Sequence, residues 1–360
     1  MEHRPRLTAE EYDVIRELRG ELVSNINSNT ALDIHLSERG IDKKDVTSVK
    51  HWQSASGELR FSVVTKESAQ VVSLEKRFKP ILEELRSYSP KFDKIKRTQI
   101  SDPHCIVFDP SDIHVGKLAS RIETGESYNI SKAVSQVDKA IDGLILKANG
   151  FNIDKVVLVM GNDVLHTDNG KTTTSGTPQD TDGTWHQAFT SSKRMYVRTI
   201  EKLLSLADVH VIFCPSNHDY MSGWMLAQTI EAYFRKSKNV TFDSTISHRK
   251  YFSYGTNMIS LSHGDGAKLI DIPLLVATER PEMWNKSTYR YIYLHHIHHK
   301  QTHKFMSGKD FIGITAEYLR SPSPADSWHH RNGYVGAKKA IEAFIHSLNN
   351  GQVARLTHHV

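Results

Sequence analysis

The alternation of apolar and polar positions changes character at about residue 104. Beyond it, short apolar segments rich in Val, Ile, Leu, Phe and Tyr alternate with amphipathic and polar stretches, and each apolar segment ends in polar residues. This pattern predicts a layered α/β domain over residues 104–360. The clearest strand candidates are CIVFDP, KVVLVM, VHVIFCP, NMISLSH and YIYLHH.

An amphipathic helix is predicted between the first two of these strands. Ser131 has the residue type of an N-cap, and Gly150 lies where the pattern ends. Between them, five apolar residues recur on one helical face. These residues are Val134, Val137, Ile141, Leu144 and Ala148.

The first 65 residues have a mainly helical pattern and predict a separate small domain. Thr8 and Glu11 have the spacing of a capping box at the start of a first helix. A second helix is predicted in TALDIHLSERG and a third in KKDVTSVKHW, before the strand-like segment ELRFSVVTK. Three such helices form either a DNA-binding helix-turn-helix or a structural cap or oligomerisation unit, for example in a homodimer.

Two polar segments flank or interrupt the α/β pattern. Residues 66–103 are rich in Lys and Arg and are interrupted by Pro80 and Pro90, which predicts a basic helix and linker whose charges are either solvated or in contact with a phosphate backbone. Residues 166–187 have almost no apolar residue and predict a long surface loop, either functional or disordered. In this loop, Lys171, Trp185 and His186 have the chemistry to contact a phosphate chain and stack on a base.

Composition excludes several classes of protein. The 360 residues contain no apolar run long enough to span a membrane, and the first residues lack the apolar stretch of a secretory signal. The two cysteines, Cys105 and Cys214, lie in strand segments, so buried reduced thiols are expected instead of a disulfide framework. We therefore expect a soluble cytoplasmic protein, whose net charge of +5 is compatible with a polyanionic partner.

Side chains with metal-binding character follow all five strand segments. Because loops that leave the carboxyl ends of strands in α/β sheets converge on one crevice, these side chains are expected to meet although they are far apart in sequence. Imidazole, carboxylate and amide groups in this combination are ligands of divalent transition metals. The expected metal ligands are Asp112, His114, Asp163, Asn217, His263, His296 and His298.

The last two ligands are chosen by strand geometry within HHIHH. In an extended chain, side chains two residues apart share a face, so His296 and His298 form a pair. Ile297 lies between His295 and His299 on the opposite face. These two histidines stay as alternative ligands.

The order of these signatures resembles the calcineurin-like metallophosphoesterase superfamily, whose successive motifs are D-x-H, G-D, G-N-H-D/E, a lone His and G-H-x-H. The corresponding segments are SDIHVG, GNDVLH, SNHD, SHGDG and HHIHH, and the resemblance covers residues 104–300. It implies a layered sandwich of two mixed β-sheets flanked by helices. It also implies hydrolysis of a phosphoester by two divalent metal ions.

The resemblance also implies how the ligands divide between the two ions. Asp163 is expected to bridge them, holding the cations about 4 Å apart so that they activate a shared hydroxide. Mn is the expected metal, with Fe, Zn and Mg as alternatives. One ion would be bound by Asp112, His114 and His298, and the other by Asn217, His263 and His296.

Three residues near these ligands are expected to act in catalysis. The resemblance implies that His218, which binds no metal, stabilises developing charge and protonates the leaving oxygen. Asp219 is expected either to orient His218 by accepting its other ring proton or to cap the following helix. His166 resembles a histidine that lies near the scissile phosphate in the double-strand-break repair nuclease branch of the superfamily, a loop histidine with a structural role being the alternative.

Three positions depart from the family motifs. Asn162, Ser216 and His295 stand where the motifs have Gly. Asn tolerates a left-handed backbone better than Ser or His, so the turns at Ser216 and His295 are expected to differ in shape.

These features predict a Mn-dependent DNA nuclease, with nucleic acid as its partner. The alternatives are a small-molecule nucleotide phosphodiesterase or phosphatase, and a DNA-binding or scaffold protein with a structural metal site. The stretches HTDNGKTTTSGTPQDTDG and ADSWHHRNGYVGA also resemble metallophosphoesterases carried by tailed phages and prophages, which implies action in the cytoplasm of an infected cell. The segment SPSPADSWHHRNGYVGAKKA either lines the cleft or ties down a last helix and the closing strand QVARLTHHV.

Overall fold

The computed structural model describes residues 28–54, 59–65, 90–297 and 308–360 of the chain. The chain divides into two compact units, Met1–Tyr88 and Ser89–Val360. The first predicted helix, with its capping box at Thr8 and Glu11, lies outside the described residues. Its existence stays a prediction.

The first unit contains helix α1 (Ser28–Glu38) and an antiparallel hairpin of β1 (Val46–Gln53) and β2 (Leu59–Thr65). The predicted second helix and the strand in ELRFSVVTK are confirmed. The predicted third helix is wrong, because a single 3-10 turn at Lys43–Asp45 leads directly into β1. The sequence VTSVKHWQ is rich in β-branched and aromatic residues, which favour strand pairing. A DNA-binding role for this unit stays a prediction.

The second unit is a layered α/β structure. Its strands are β3 (His104–Asp109), β4 (Ile153–Gly161), β5 (Asp208–Cys214), β6 (Val240–Asp243), β7 (Arg249–Tyr254), β8 (Asn257–Ser262), β9 (Tyr289–Leu294), β10 (Gly308–Phe311), β11 (Ile314–Tyr318), β12 (Ala340–Ser347) and β13 (Gly351–His359). Its helices are α2 (Arg121–Thr124), α3 (Ile130–Lys147), α4 (Trp185–Leu203), α5 (Tyr220–Phe234), α6 (Ile272–Glu279), α7 (Pro281–Lys286) and α8 (Ser327–Arg331).

The strands form two mixed sheets. Within residues 90–297 and 308–360, one sheet has the order β13-β12-β3-β4-β5-β6 and the other the order β10-β11-β9-β8-β7. In the first sheet β3 to β6 are parallel, whereas β12 is antiparallel to both β3 and β13. In the second sheet β8, β9 and β11 are parallel, with antiparallel β7 and β10 at the edges. The predicted fold class is confirmed.

The two sheets pack face to face between layers of helices. In β3, Cys105 and Val107 contribute to the core shared with the second sheet, whereas Ile106 and Phe108 contribute to the core beneath α3, α4 and α5. Both faces of this strand are therefore buried, which explains its continuous apolar sequence. Helices α6 and α7 cover the other face of the second sheet. Among the described residues, no helix is long and apolar enough to cross a membrane.

The end of the predicted basic linker belongs to the second unit. The Ile95 N–H group donates to Asn239 Oδ1 at 2.8 Å, and the Asn239 side-chain amide donates to the Ile95 carbonyl at 3.0 Å. Arg97 pairs with Asp208 at 3.1 Å. Residues 90–103 have no helix, and most of their side chains are exposed.

Two predicted elements differ from the structure. Helix α3 begins before its predicted cap, Ser131, because Asn129 Oδ1 accepts a hydrogen bond from the Lys132 N–H group at 2.8 Å. The predicted last helix is wrong, since Ala340–Ser347 forms β12, which is buried along its whole length between β3 and β13. The predicted closing strand is confirmed as β13.

Candidate metal centre

Six of the seven predicted metal ligands lie at the carboxyl ends of strands from both sheets. Because β3, β4 and β5 are parallel neighbours, the loops that follow them leave the same edge of the first sheet. The strands β8 and β9 are parallel neighbours in the second sheet. The ligand candidates that follow these strands are Asp112, His114, Asp163, Asn217, His263 and His296.

These side chains form two groups that share one carboxylate. The ligand atoms of Asp112, His114 and Asp163 all lie within 4.8 Å of one another. The ligand atoms of Asp163, His263 and His296 form a second group, which also lies within 4.8 Å. Since Asp163 belongs to both groups, its carboxylate lies between them.

Asn217 lies beside the second group. Its Oδ1 atom is 2.7 Å from Nε2 of His263, and its carbonyl oxygen accepts a hydrogen bond from the Thr174 N–H group at 3.1 Å. His298 and His299 lie outside the described residues. The ligand role of His298 therefore stays a prediction.

The backbone at the centre has conformations that residues other than Gly rarely adopt. The φ angles are +51° at Asp112, +50° at His114, +60° at Asp163 and +69° at His296. Asn162, which stands where the family motif has Gly, has a φ of +51°, as its tolerance of left-handed backbone allows. Strained residues of this kind cluster at functional sites, where the surrounding structure holds them in place.

Ser216 replaces a motif Gly and takes part in a buried hydrogen-bond network. Its hydroxyl accepts from the Asp163 N–H group at 2.7 Å and donates to Asp219 Oδ1 at 2.6 Å. Asp219 Oδ2 accepts from the Leu165 N–H group at 2.8 Å. Asp219 therefore fixes the turn that carries Asp163, which differs from both roles that the sequence suggested for it.

The helix-capping role falls to Asp168 in the polar loop. Its Oδ1 atom accepts hydrogen bonds from the N–H groups of Met221 and Ser222 at 3.1 and 2.7 Å, at the start of α5. Its Oδ2 atom accepts from the Thr174 hydroxyl at 2.9 Å. The polar loop is thus joined to the helix that follows Asn217, and the disordered alternative for it is wrong.

Both predicted catalytic histidines lie beside the first ligand group. His218 donates its backbone N–H to Asp163 Oδ1 at 3.0 Å, and its Nδ1 atom lies 2.8 Å from the carbonyl oxygen of His166. The two rings are stacked, with centroids 5.4 Å apart. The Nδ1 atom of His166 is 3.3 Å from Nδ1 of His114. A third compact group of potential ligand atoms therefore comprises His114, His166 and His218.

His295 is held in a structural pair that the sequence did not reveal. Its Nε2 atom lies 3.0 Å from Asp109 Oδ2, and its Nδ1 atom lies 3.0 Å from the carbonyl oxygen of Ser262. Asp109 also accepts a hydrogen bond from the Ser111 hydroxyl. Because both ring nitrogens have partners, His295 is not placed to act as a metal ligand.

Burial and nearby charges shift the pKa values of the two carboxylates of the centre in opposite directions. Burial, partly offset by His263, raises the pKa of Asp112 to about 6. Burial alone would also raise the pKa of Asp163, but His263 and His218 hold it well below its usual range. Burial lowers the pKa of His263, yet the attraction of Asp163 outweighs it and raises that pKa to about 9. The interior thus carries two adjacent carboxylates and one imidazole that compensates for them.

The pKa values of two other imidazoles of the centre are shifted downward, towards the neutral form. Burial, followed by Lys117 and His218, lowers the pKa of His166 well below its ordinary value. Burial and then His263 lower the pKa of His296. Neutral imidazole is the form that binds metal ions.

A cavity of about 480 Å³ opens beside the centre. Asp163, His166, His218 and His296 line it on one side. The polar loop contributes hydroxyl groups, and the segment after β11 contributes aromatic rings. Among the loop residues proposed for base stacking, Trp185 packs instead against Phe189, with ring centroids 5.0 Å apart.

Several solved structures resemble the chain, and the likeness of the one described next is weak. A double mutant of Vps29 from Entamoeba histolytica matches with a TM-score of 0.29 and 12% sequence identity, over 71% of this chain and 99% of that one. A likeness at this level carries no information on function. No protein-family model and no curated protein matches the chain.

Proposed function

We propose that this protein is a divalent-metal-dependent phosphodiesterase that cleaves DNA. The observation that carries the proposal is the position of Asp163, whose carboxylate belongs to two groups of metal-binding side chains at once. A shared carboxylate of this kind is what a two-metal site for phosphoester hydrolysis requires. The order of the motifs, which resembles the calcineurin-like metallophosphoesterases, supports the same conclusion.

The residues fit two divalent cations. Asp112 and Asp163 are both fully buried side by side, and two adjacent buried carboxylates are costly unless cations neutralise them. The buried Nδ1 atom of His263 has no hydrogen-bond partner among the described residues. The mixture of imidazole and oxygen donors suits Mn, Fe or Zn, and we propose Mn.

We assign the ligands to the two ions as follows. Asp163 would bind both ions, and each ion would take its other ligands from one of the two groups. The first ion would be held by Asp112, His114 and, by the motif resemblance, His298. The second would be held by Asn217, His263 and His296.

The two cations, when bound, would supply Lewis-acid polarisation of the phosphate and activation of water. His218 carries the proton transfer. With Nδ1–H donating to the His166 carbonyl, Nε2 is the ring nitrogen left for the leaving oxygen, and the doubly protonated imidazolium form of His218 donates its Nε2 proton to that oxygen. His166, neutral and in the cavity wall, contributes a hydrogen bond to the substrate phosphate.

The choice of DNA as substrate is supported by several weaker features. The chain is basic, with a net charge of +5, which favours a polyanion. His166 occupies the position that the repair-nuclease resemblance indicates. The cavity beside the centre offers both hydroxyl and aromatic side chains.

The test is incubation of the full chain and Mn²⁺ with labelled single- and double-stranded DNA, and separately with bis-p-nitrophenyl phosphate. We expect both the DNA and the diester to be hydrolysed, and His218→Gln to lose activity on both. Hydrolysis of the diester without any DNA cleavage would refute the nuclease. Loss of neither activity in His218→Gln would refute the assigned chemistry.

A second candidate is a phosphodiesterase of small nucleotides. The size of the cavity, about 480 Å³, favours it, since this is the size of sites that bind small molecules. It predicts faster hydrolysis of a dinucleotide than of a longer strand with the same ends. Equal or faster cleavage of the longer strand favours the nuclease.

A further inference from the structure

Two aromatic rings belong to the lining of the cavity beside the metal ligands. Trp328 and Tyr334 both line the cavity, and their rings are stacked, with centroids 5.6 Å apart and an angle of 21° between the planes. Trp328 is 59% exposed and Tyr334 is 47% exposed. A stacked aromatic pair open to a cavity is the kind of surface on which an unpaired base stacks.

The turn after α8 brings the two rings together. Gly333, with a φ of +79°, reverses the chain in a conformation that costs little only for Gly. The Tyr334 N–H group then donates to the carbonyl oxygen of His329 at 2.8 Å. The backbone of this turn therefore holds the two aromatic residues next to each other.

The same segment is fixed to the loop that carries the first metal ligands. The Ser321 hydroxyl donates to the carbonyl oxygen of Asp112 at 2.8 Å. Asp326 pairs at 3.1 Å with Lys117, which is only 1% exposed and lies three residues after His114. The aromatic pair and the metal ligands are thus held in one frame, by a buried charge pair and a buried hydrogen bond.

Asp326 also organises the start of α8. Its Oδ1 atom accepts from the backbone N–H of His329 at 3.0 Å and lies 2.7 Å from Nδ1 of the same residue. His329 lines the cavity as well. The carboxylate therefore orients an imidazole beside the aromatic rings, where it faces the space that a substrate would fill.

The polar loop supplies hydrogen-bonding groups to the same cavity lining. Thr173, Ser175 and Thr177 of the polar loop contribute hydroxyls there. Metal ligands, hydroxyls and an aromatic surface therefore surround a single cavity. This combination matches the three chemical parts of a nucleotide, which are phosphate, sugar and base.

We propose that the aromatic pair Trp328 and Tyr334 forms a subsite for an unpaired nucleobase, next to the phosphate that is cleaved. The proposal rests on the proposed function, which it makes more specific. A base within a duplex is already stacked on both faces, so the subsite selects single strands, strand ends or short nucleotides. The cavity would therefore bind any unpaired base, whatever its identity, because every base has an aromatic face that can stack.

The experiment compares two esters that share a leaving group. Thymidine 5′-(p-nitrophenyl phosphate) carries a base, whereas methyl p-nitrophenyl phosphate does not. For the full chain with Mn²⁺, we expect kcat/KM to be higher for the thymidine ester. In Trp328→Ala, we expect this preference to fall by about 5- to 150-fold, the range for loss of one base–aromatic stack, while hydrolysis of the methyl ester is unchanged.

Two further variants make the comparison specific. Trp328→Phe keeps an aromatic ring and should keep most of the preference. Trp224→Ala removes an exposed tryptophan on α5 that is not part of the cavity lining, and it should leave both esters unaffected. Similar loss of the thymidine preference in Trp224→Ala would overturn the assignment to Trp328.

The two proposals fail in different ways. If the protein hydrolyses neither ester, the proposed phosphodiesterase function is refuted. If it hydrolyses both, and Trp328→Ala leaves their ratio unchanged or slows both equally, the base subsite is refuted and the phosphodiesterase stands.

Discussion

The Nδ1 atom of His218 lies 2.8 Å from the carbonyl oxygen of His166, in the loop after β4. A carbonyl oxygen only accepts hydrogen bonds, so Nδ1 carries a proton, and Nε2 is the nitrogen that takes up and releases the second proton of the imidazolium. The orientation of this imidazole therefore depends on a main-chain atom. No carboxylate is needed to set its tautomer.

Replacement of His218 separates proton transfer from metal binding. We expect His218→Gln to retain both metals and to lose turnover by about 10²- to 10⁴-fold, the usual contribution of a general acid. The loss should be larger for DNA, whose leaving alkoxide needs a proton, than for a p-nitrophenyl ester. Elemental analysis and kcat on both substrates test this. Loss of metal from the variant would contradict it.

Asp163→Asn should remove both metals at once. The substitution keeps the shape of the side chain but removes the charge shared by the two ligand groups. Mn²⁺ at about a hundred times its Kd should raise the free energy of unfolding of the unaltered protein by about 2.7 kcal/mol for each site, because it binds only the folded chain. In Asp163→Asn, urea unfolding should not respond to Mn²⁺. A normal response in this variant would show that the bridging assignment is wrong.

The pair of Asp109 and His295 is expected to stabilise the fold without taking part in turnover. Both side chains are almost completely buried, and their 3.0 Å contact links β3 to the end of β9. Removing one partner of a buried pair leaves the other uncompensated, at a cost of about 3–5 kcal/mol. Asp109→Asn should therefore lower the free energy of unfolding by an amount in this range, measured in urea with a chelator present. A change below about 1 kcal/mol would exclude a charged pair.

The same pair predicts how stability depends on pH. Burial lowers the pKa of His295, but the attraction of Asp109 outweighs it and leaves the pKa above its ordinary value. A histidine whose pKa is higher in the folded protein than in the unfolded chain stabilises the fold. This stabilisation is fully present below the unfolded pKa of about 6.5 and is lost as the pH rises through the folded pKa. The difference in unfolding free energy between the unaltered protein and Asp109→Asn should thus shrink as the pH is raised above about 6.5. A difference that grows with pH would contradict the assigned charge state.

The two thiols should be inert in the folded protein. Cys105 and Cys214 are fully buried, and burial raises the pKa of Cys105 to about 12 and that of Cys214 further still. Since the thiolate is the reactive form, neither should be alkylated by iodoacetamide at pH 8 until the protein is unfolded. Mass spectrometry of samples labelled with and without urea tests this. Labelling of either cysteine without urea would show that the sheet core opens locally.

The strand ends were predictable because they follow from local pattern alone. Asp112, Asp163 and Asn217 could be identified because each follows an apolar segment that ends in polar residues. These segments are easy to recognise because strands that are buried on both faces have almost continuously apolar sequences. The convergence of these side chains then followed from a general property of parallel strands. Each of these strands carries its apolar pattern in its own sequence, so its end could be predicted without knowing which strand lies beside it.

Pairings between distant segments were not predictable in the same way. In the sequence, Asp109 looks like any other polar residue at the end of a strand. Its contact with His295 depends on how the two sheets pack and therefore has no signal in the sequence. Asp219 has the residue type of a helix cap, yet its carboxylate lies nearer Ser216 and Leu165, while Asp168 caps the helix from another loop. In each case several segments compete for the same group, and only tertiary packing decides between them.

One of the two neighbours of β3 in the first sheet is β12, which comes more than two hundred residues later in the chain. The segment that carries Ser321 and Asp326 lies just before β12, and its contacts hold the loop of Asp112 and the buried Lys117. All predicted metal ligands therefore precede, in the order of synthesis, the residues whose contacts hold the loop of Asp112. We expect the first ligand group to take its final geometry only after residues 321–326 have been synthesised.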